Sequence, residues 1–418
     1  MLNIKKYYLG LMVLLLAGAP GVAQHPVMNL DSVLQRINRG NPMLQMSEQK
    51  AKAADAMAEG ARSLMAPMVG GGMFMAPYQS QEIMGQRDRG SFMVSAEQDI
   101  PNPAKLKARE NYLKSRSAIE GAGRDVVFNN LRAEAKTAYY NWVVLEKKMA
   151  LIRENERLMA YMLKLAKIRY PYNQSKLGSI YRAEARLLEV ENMAEMTANA
   201  IRQQNVQLNM LMNLPKDSQY SIDTQVAVPH LVELTADPAL FSGTRSDLRQ
   251  LDKTIESMQL SARMEELGRK PDFRIRFDHM SPRDNMMPRQ FTAMGMVSIP
   301  IAPWSSKMYK ANTKAMNLEI TAMQRERESM VNEAEAMIRA MGLEVNTMHH
   351  HLHNYESKII PALKKNYDVT MLAYEQNKAG LPEVLDAWEA LNMAHMASLD
   401  DLQALYKMTV DYEKELEK

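Results

Sequence analysis

Cysteine is absent from all 418 residues. That excludes disulfides, a thiolate metal site and a thiol nucleophile. Past the first two dozen residues no apolar run approaches the roughly 18 residues that mark a transmembrane helix. Charge of one sign is scarce as well: the net formal charge is +3, so no global field favours nucleic acid. The chain also has no Gly-rich phosphate loop, no recognisable nucleophile motif and no metal-ligand-plus-base spacing. An enzyme, such as a metallohydrolase built on histidines, would lack its catalytic set, and no nucleic-acid partner is expected.

The first residues read as an address. Lys5 and Lys6 form a basic start, Leu9 to Leu16 give a short apolar run, and Gly21-Val22-Ala23 closes it with small residues. Residues 1–23 are therefore expected to be a signal peptide. Without Lys5 and Lys6 the balance falls to about +1. No Cys follows, so a lipid on cysteine is excluded. An exported chain without a transmembrane helix is periplasmic, secreted or part of an outer-membrane barrel.

What is present is a duplication. Tyr170-Pro-Tyr-Asn173-Gln-Ser-Lys-Leu177 and Tyr374-Glu-Gln-Asn377-Lys-Ala-Gly-Leu381 share one pattern 204 residues apart. Ala183 and Leu187 match Ala387 and Leu391, and Leu44 and Pro67 match Leu248 and Pro271. Such a repeat decides architecture first. The expected organisation is a first repeat at 24–214, a linker at 215–244 and a second repeat at 245–418. Each repeat reads helix, strand, strand, long helix, turn, long helix.

In the first repeat Asp31 is a plausible N-cap for a lead helix that Pro67 stops. Strands follow at about Met68–Tyr78 and Gly90–Ile100, within a hairpin at about 68–100, joined by the polar segment Gln79–Arg89. From Ala104 to Arg169 there is no Pro. That is about 65 residues, or roughly 100 Å of helix. Such a helix needs a partner, and Ser175–Leu214 folds back through a turn at Asn173, which tolerates a left-handed conformation. The second repeat gives a lead helix at Arg245–Gly268, and strands at Pro271–Met280 and Arg289–Ile299 within a hairpin at about 272–300. A helix then runs from Pro303 to about Tyr374, turns near Asn377 and returns over Leu381–Glu415.

Strand Asp272–Met280 alternates most clearly. Phe273, Ile275, Phe277 and His279 point one way, and Arg274, Arg276 and Asp278 the other. This fits lipid outside and a wet lumen inside, with Arg274, Arg276 and Asp278 lining the lumen. It also fits an amphipathic hairpin on a soluble core. If the strands do span, four of them cannot close, and an open edge in lipid leaves unpaired backbone groups. Three copies would pool about 12 strands, within the known barrel range.

At this point the chain resembles a TolC-type outer-membrane factor, the exit duct of tripartite efflux pumps. The marks are Arg169-Tyr170-x2-Asn173-x3-Leu177-x4-Arg182-Ala183 and Tyr374-x2-Asn377-x3-Leu381-x-Glu383-Val384-Leu385-Asp386-Ala387, with Asn41-Pro42 and the Pro after each lead helix. The family usually has Gly where Asn173 and Asn377 stand. The resemblance implies a mainly α fold with a small β part: a homotrimer with a 12-stranded outer-membrane barrel and a long periplasmic helical barrel in a Gram-negative bacterium. It implies a periplasmic adaptor (membrane fusion protein) docking at tips around Asn173, Leu177, Asn377 and Leu381. It further implies an inner-membrane RND-type transporter as partner and outer-membrane lipid as surroundings. Glu383 and Asp386 fall where members line a closing aperture, although both also read as ordinary solvated charges. A tip Tyr like Tyr374 ties the closed state to an acid in the first hairpin; Ser179 stands at the matching position, so the lock is expected to be weaker or built differently.

Methionine is abundant, at 37 residues. Thioethers suit Cu(I) and, by softness, Ag(I), and imidazoles suit Zn, Cu and Ni. Met348-His349-His350-His351-Leu352-His353 puts His349 and His353 on one helical face. Met393-x-His395-Met396 is a second candidate cluster. Met also fills helix seams, and a His run is also a solvated surface. The pattern resembles the heavy-metal branch of the family, for copper/silver or cobalt/zinc/cadmium. A channel for drugs or type I secretion and a soluble coiled-coil adaptor are the alternatives. No resident cofactor is expected.

Overall fold

The computed structural model describes residues 27–78, 89–232, 243–283 and 287–418. The expected signal peptide, nearly all of the Gln79–Arg89 segment and linker residues 233–242 lie outside them. The elements in order are β1 (Val27–Met28), α1 (Leu30–Gly40), α2 (Pro42–Glu59), β2 (Met68–Phe74), β3 (Ser91–Ile100), α3 (Pro103–Arg169), α4 (Leu177–Leu211) and β4 (Ser221–Ile222). There follow α5 (Ser246–Glu266), β5 (Phe273–Pro282), β6 (Gln290–Val297), α6 (Pro303–Asn354), α7 (Ile360–Glu375) and α8 (Leu381–Glu415).

The chain divides into two compact units. The first takes the described parts of Met1–Asn41, Leu131–Val232 and Glu344–Val410, and the second those of Pro42–Asn130, Glu233–Leu343 and Asp411–Lys418. Each unit draws on both sequence repeats.

In the first unit, the helices pack around a cluster that includes Met159, Met162, Ile180, Ala183, Tyr374, Leu381, Val384 and Trp388. Both repeats supply it, which explains why neither hairpin has to be stable alone. β1 and β4 form a two-stranded parallel ribbon. Its carbonyl ends are held by Tyr139, whose hydroxyl lies 3.2 Å from Met28 O and 3.0 Å from Asp223 O. Burial pushes the Tyr139 pKa up to about 12, so the hydroxyl stays a donor across the physiological range.

In the second unit a four-stranded antiparallel sheet runs in the order β2-β3-β5-β6. β2 and β6 are its edges. A smaller apolar cluster of Ile255, Ala262 and Ile320 joins α5 to α6. Here Arg245 reaches Asp247 at 2.7 Å and Glu415 at 2.6 Å, with all three side chains mostly covered. Burial pushes the Asp247 pKa up, but the Arg245 hydrogen bond and charge pull it net below the ordinary carboxylate value. Arg245→Ala strands two covered carboxylates and is expected to destabilise by about 3–5 kcal/mol. A carboxylate depressed in the fold stabilises above its unfolded pKa, near 4, and loses that contribution as pH falls through the lower folded value. Acid unfolding of the parent followed by circular dichroism should therefore be steeper below about pH 4 than that of the Ala variant. Equal slopes would show that this triad is not the source.

Several expectations need correction. Asn29, rather than Asp31, caps α1: its Oδ1 accepts from Ser32 N at 2.9 Å. The lead helix is two helices, because Pro42 cannot continue the α1 bond ladder. Asn41 at the break is buried and its Nδ2 donates to Leu211 O at 2.8 Å. β2 ends at Phe74 instead of Tyr78, before Met75 at φ 52°. The helix from Pro303 carries a π turn at Tyr355–Ile359, next to Pro361, whose missing N–H breaks the regular ladder. The β1–β4 ribbon was not anticipated.

Candidate functional site

The two helical turns are duplicates in atomic detail. Asn173 and Asn377 stand at φ 60° and 59°. Asn173 N donates to Tyr170 O and Gln174 N to Arg169 O; Asn377 N donates to Tyr374 O and Lys378 N to Ala373 O. These bonds satisfy the last helical carbonyls through one left-handed residue. Gly at either position should be neutral or slightly stabilising. Val should cost about 1–2 kcal/mol, since branching at the β carbon crowds this conformation and Val lacks the local hydrogen bonding by which Asn tolerates it. Urea unfolding of the four single variants checks the ranking, and a tolerated Val would show that the turn geometry is not demanding.

Some of the expected tip and aperture residues lie together, while Leu177 and Asn377 are not among them. Asn173, Ser179, Leu381 and Glu383 line one cavity of about 310 Å³ in the first unit. Leu177 is 45% exposed. Tyr374 is buried in the core cluster. Burial pushes its pKa up, with Arg169 opposing. No hydrogen bond joins it to Ser179 among the described residues. Arg169 holds it instead: the guanidinium lies 4.5 Å over the ring and donates to Tyr374 O at 2.7 Å and Glu375 O at 2.9 Å.

Asp386 is paired, with Arg182 3.6 Å away. One turn on, Arg186 grips both Glu389 oxygens at 2.8 and 2.7 Å. Sequence reasoning passed over Arg182, Arg186 and Glu389 as sites. A signal existed: 182 and 386 are equivalent repeat positions of opposite charge, and equivalent positions of a paired duplication face each other.

The sheet separates its faces as its alternation requires. Phe273, Ile275 and Phe277 are 43%, 55% and 45% exposed, on the same face as Phe92 and Val94. Arg274, Arg276 and Asp278 share the opposite face with two residues the sequence reading left out, Glu97 and Asp99. Arg274 pairs with Glu97 at 2.8 Å and with Asp99; Arg276 lies 3.0 Å from Asp278. The charged face is thus a cross-strand ion-pair ladder.

Among the described residues no group of three or more His, Asp or Glu could hold an ion. Met348, His349 and His353 lie on α6, and Met393, His395 and Met396 on α8. Met393 is 65% exposed. Burial lowers the His395 pKa, Lys364 adding to the effect and Glu154 opposing it. Among the described residues His351 of the run has a carboxylate partner: its Nδ1 lies 2.8 Å from Asp401 Oδ2.

No protein-family profile matches the chain. No curated protein matches it in sequence. Solved structures do match in shape. The outer-membrane channel OprN aligns with a TM-score of 0.75 over 93% of this chain and 89% of its own, at 13% identity. CusC, whose structures concern folding and transmembrane channel formation, aligns at 0.73 over 93% and 91%, also at 13%. The outer-membrane protein VceC from Vibrio cholerae aligns at 0.69 over 93% and 95%, at 16%. The chain has the fold of these outer-membrane proteins.

Proposed function

We propose that this chain is the outer-membrane channel subunit of a tripartite efflux assembly, a passive duct rather than an enzyme. The observation that carries the reading is the four-stranded sheet with an exposed apolar face, a charged face and two edges, β2 and β6. Edges unpaired in lipid cost several kcal/mol per group. Three copies joined edge to edge form a 12-stranded barrel without one. The helical hairpins extend into the periplasm, and the turns at Asn173, Leu177, Asn377 and Leu381 dock a periplasmic adaptor. An inner-membrane RND-type transporter supplies the energy.

The cargo we assign to heavy-metal cations, copper/silver or cobalt/zinc/cadmium. The Met and His content supports it. A channel for organic drugs is the competing assignment, because the fold shared with other outer-membrane channels does not depend on cargo. Loss of the gene should sensitise its host to copper, silver, zinc or cobalt; sensitivity to dyes and bile salts alone would transfer the channel to organic cargo.

The aperture reading is tested in planar bilayers. Glu383 and Asp386 repeated in three copies form acidic rings that favour cations. Glu383→Gln with Asp386→Asn should move the reversal potential in a KCl gradient toward zero selectivity. An unchanged reversal potential would mean these carboxylates do not line the narrow part of the path.

A further inference from the structure

The ladder register sorts the methionines of the sheet. The four strands hold six: Met68, Met73, Met93, Met280, Met294 and Met296. Directly opposed residues share a face. Met68 opposes Glu97, Met294 opposes Arg276, Met296 opposes Arg274, and Met280 lies two residues beyond Asp278 and opposes Met93. All five therefore sit on the charged face. Met73 opposes Phe92 and is the one on the apolar face.

This distribution is the reverse of what hydrophobicity asks for. A face turned to water should be polar, and a face turned to lipid is where thioethers cost nothing. Yet the apolar face carries Phe92, Val94, Phe273, Ile275, Phe277 and Val297, with Gln98, His279 and Ser281 among them, while five of the six thioethers stand on the face of the carboxylates and guanidiniums. Seam filling does not account for them: Met68, Met294 and Met296 are 57%, 41% and 39% exposed.

We infer that the charged face of the sheet is a thioether-lined path for soft monovalent cations, Cu(I) or Ag(I). Neutral sulfur ligands select these ions by softness. Met93 and Met280 face each other across adjacent strands, where opposed β carbons stand about 5 Å apart. Two flexible thioethers at that spacing can converge on one ion. Met68 and Met294 close a row through Glu97 and Arg276, with Met296 in the next row beside Arg274 and Asp99. Glu97, Asp99 and Asp278 outnumber Arg274 and Arg276 by one, so the ion-paired face keeps a net negative charge for a cation, and weak repeated sites are what conduction needs. The inference rests on the channel reading and narrows its cargo to the soft branch.

The test uses the full chain in planar bilayers, with potassium nitrate carrying the current and silver nitrate as the probe. Silver should cause a reversible loss of most of the potassium current. The volume-conserving variant Met93→Leu, Met280→Leu, Met294→Leu, Met296→Leu should conduct potassium normally and ignore silver. If the fourfold variant fails to insert, the two double variants (93 with 280, 294 with 296) should each show a partial loss of silver response. A silver effect retained in the Leu variants, or absent from the parent, overturns the inference. A parent that carries no potassium current overturns the channel reading itself, so the two failures are distinguishable.

Discussion

Arginine at both Ile275 and Phe277 is expected to keep the chain out of the membrane. Both side chains stand on the exposed apolar face of β5, between β3 and the edge strand β6. A basic residue on the lipid side near the bilayer midplane costs about 2–4 kcal/mol. Two substitutions in three copies would multiply that penalty several-fold. Membrane fractionation should move the variant from the outer-membrane pellet to aggregates or the soluble pool. The control is Thr292→Arg, on the charged face opposite Asp278. It should insert normally, because that face already holds Arg274 and Arg276. If the two variants fractionate alike, the sheet does not have one side in lipid.

Trp388→Ala is expected to cost about 3–5 kcal/mol, the usual range for emptying a large buried aromatic site. Trp388 is 4% exposed within the cluster that both repeats build. Its indole N–H donates to Asn155 Oδ1 at 3.0 Å, and Asn155 Nδ2 donates to Asn392 Oδ1 at 2.6 Å. Truncation thus opens a cavity and leaves a buried amide oxygen without its donor, two penalties with one cause. Urea unfolding followed by circular dichroism gives the number, and Asn155→Ala completes a double-mutant cycle whose coupling should be well above zero. A loss under about 1 kcal/mol would mean the hairpins are held elsewhere.

Much of this fold was legible because duplication repeats its own punctuation. The turns at Asn173 and Asn377, the return helix Leu381–Glu415 and the alternation of Phe273–Asp278 follow from local rules. Other features depend on partners far along the chain, which period and propensity cannot name. The β1–β4 ribbon has two residues per strand, too few for alternation to register. Glu97 and Asp99 acquire meaning only once the register sets them opposite Arg276 and Arg274. The break at Asn41-Pro42 was quoted as a motif but not as a helix end; the buried bond from Asn41 to Leu211 O makes the corner stable. His349 and His353 were singled out by spacing, whereas tertiary packing gives Asp401 to His351. Asp386 was singled out without its partner Arg182, though the offset between the two equals that of the two turns.

The shared barrel is most directly tested by cross-linking, for which the absence of native cysteine is an advantage. One Cys is placed on β2 and one on β6 across a small set of registers, and the membranes are oxidised. Edge-to-edge closure predicts a ladder of covalent products that ends at three chains. Products that stop at a single chain, or climb without limit, would contradict a closed wall shared by three copies.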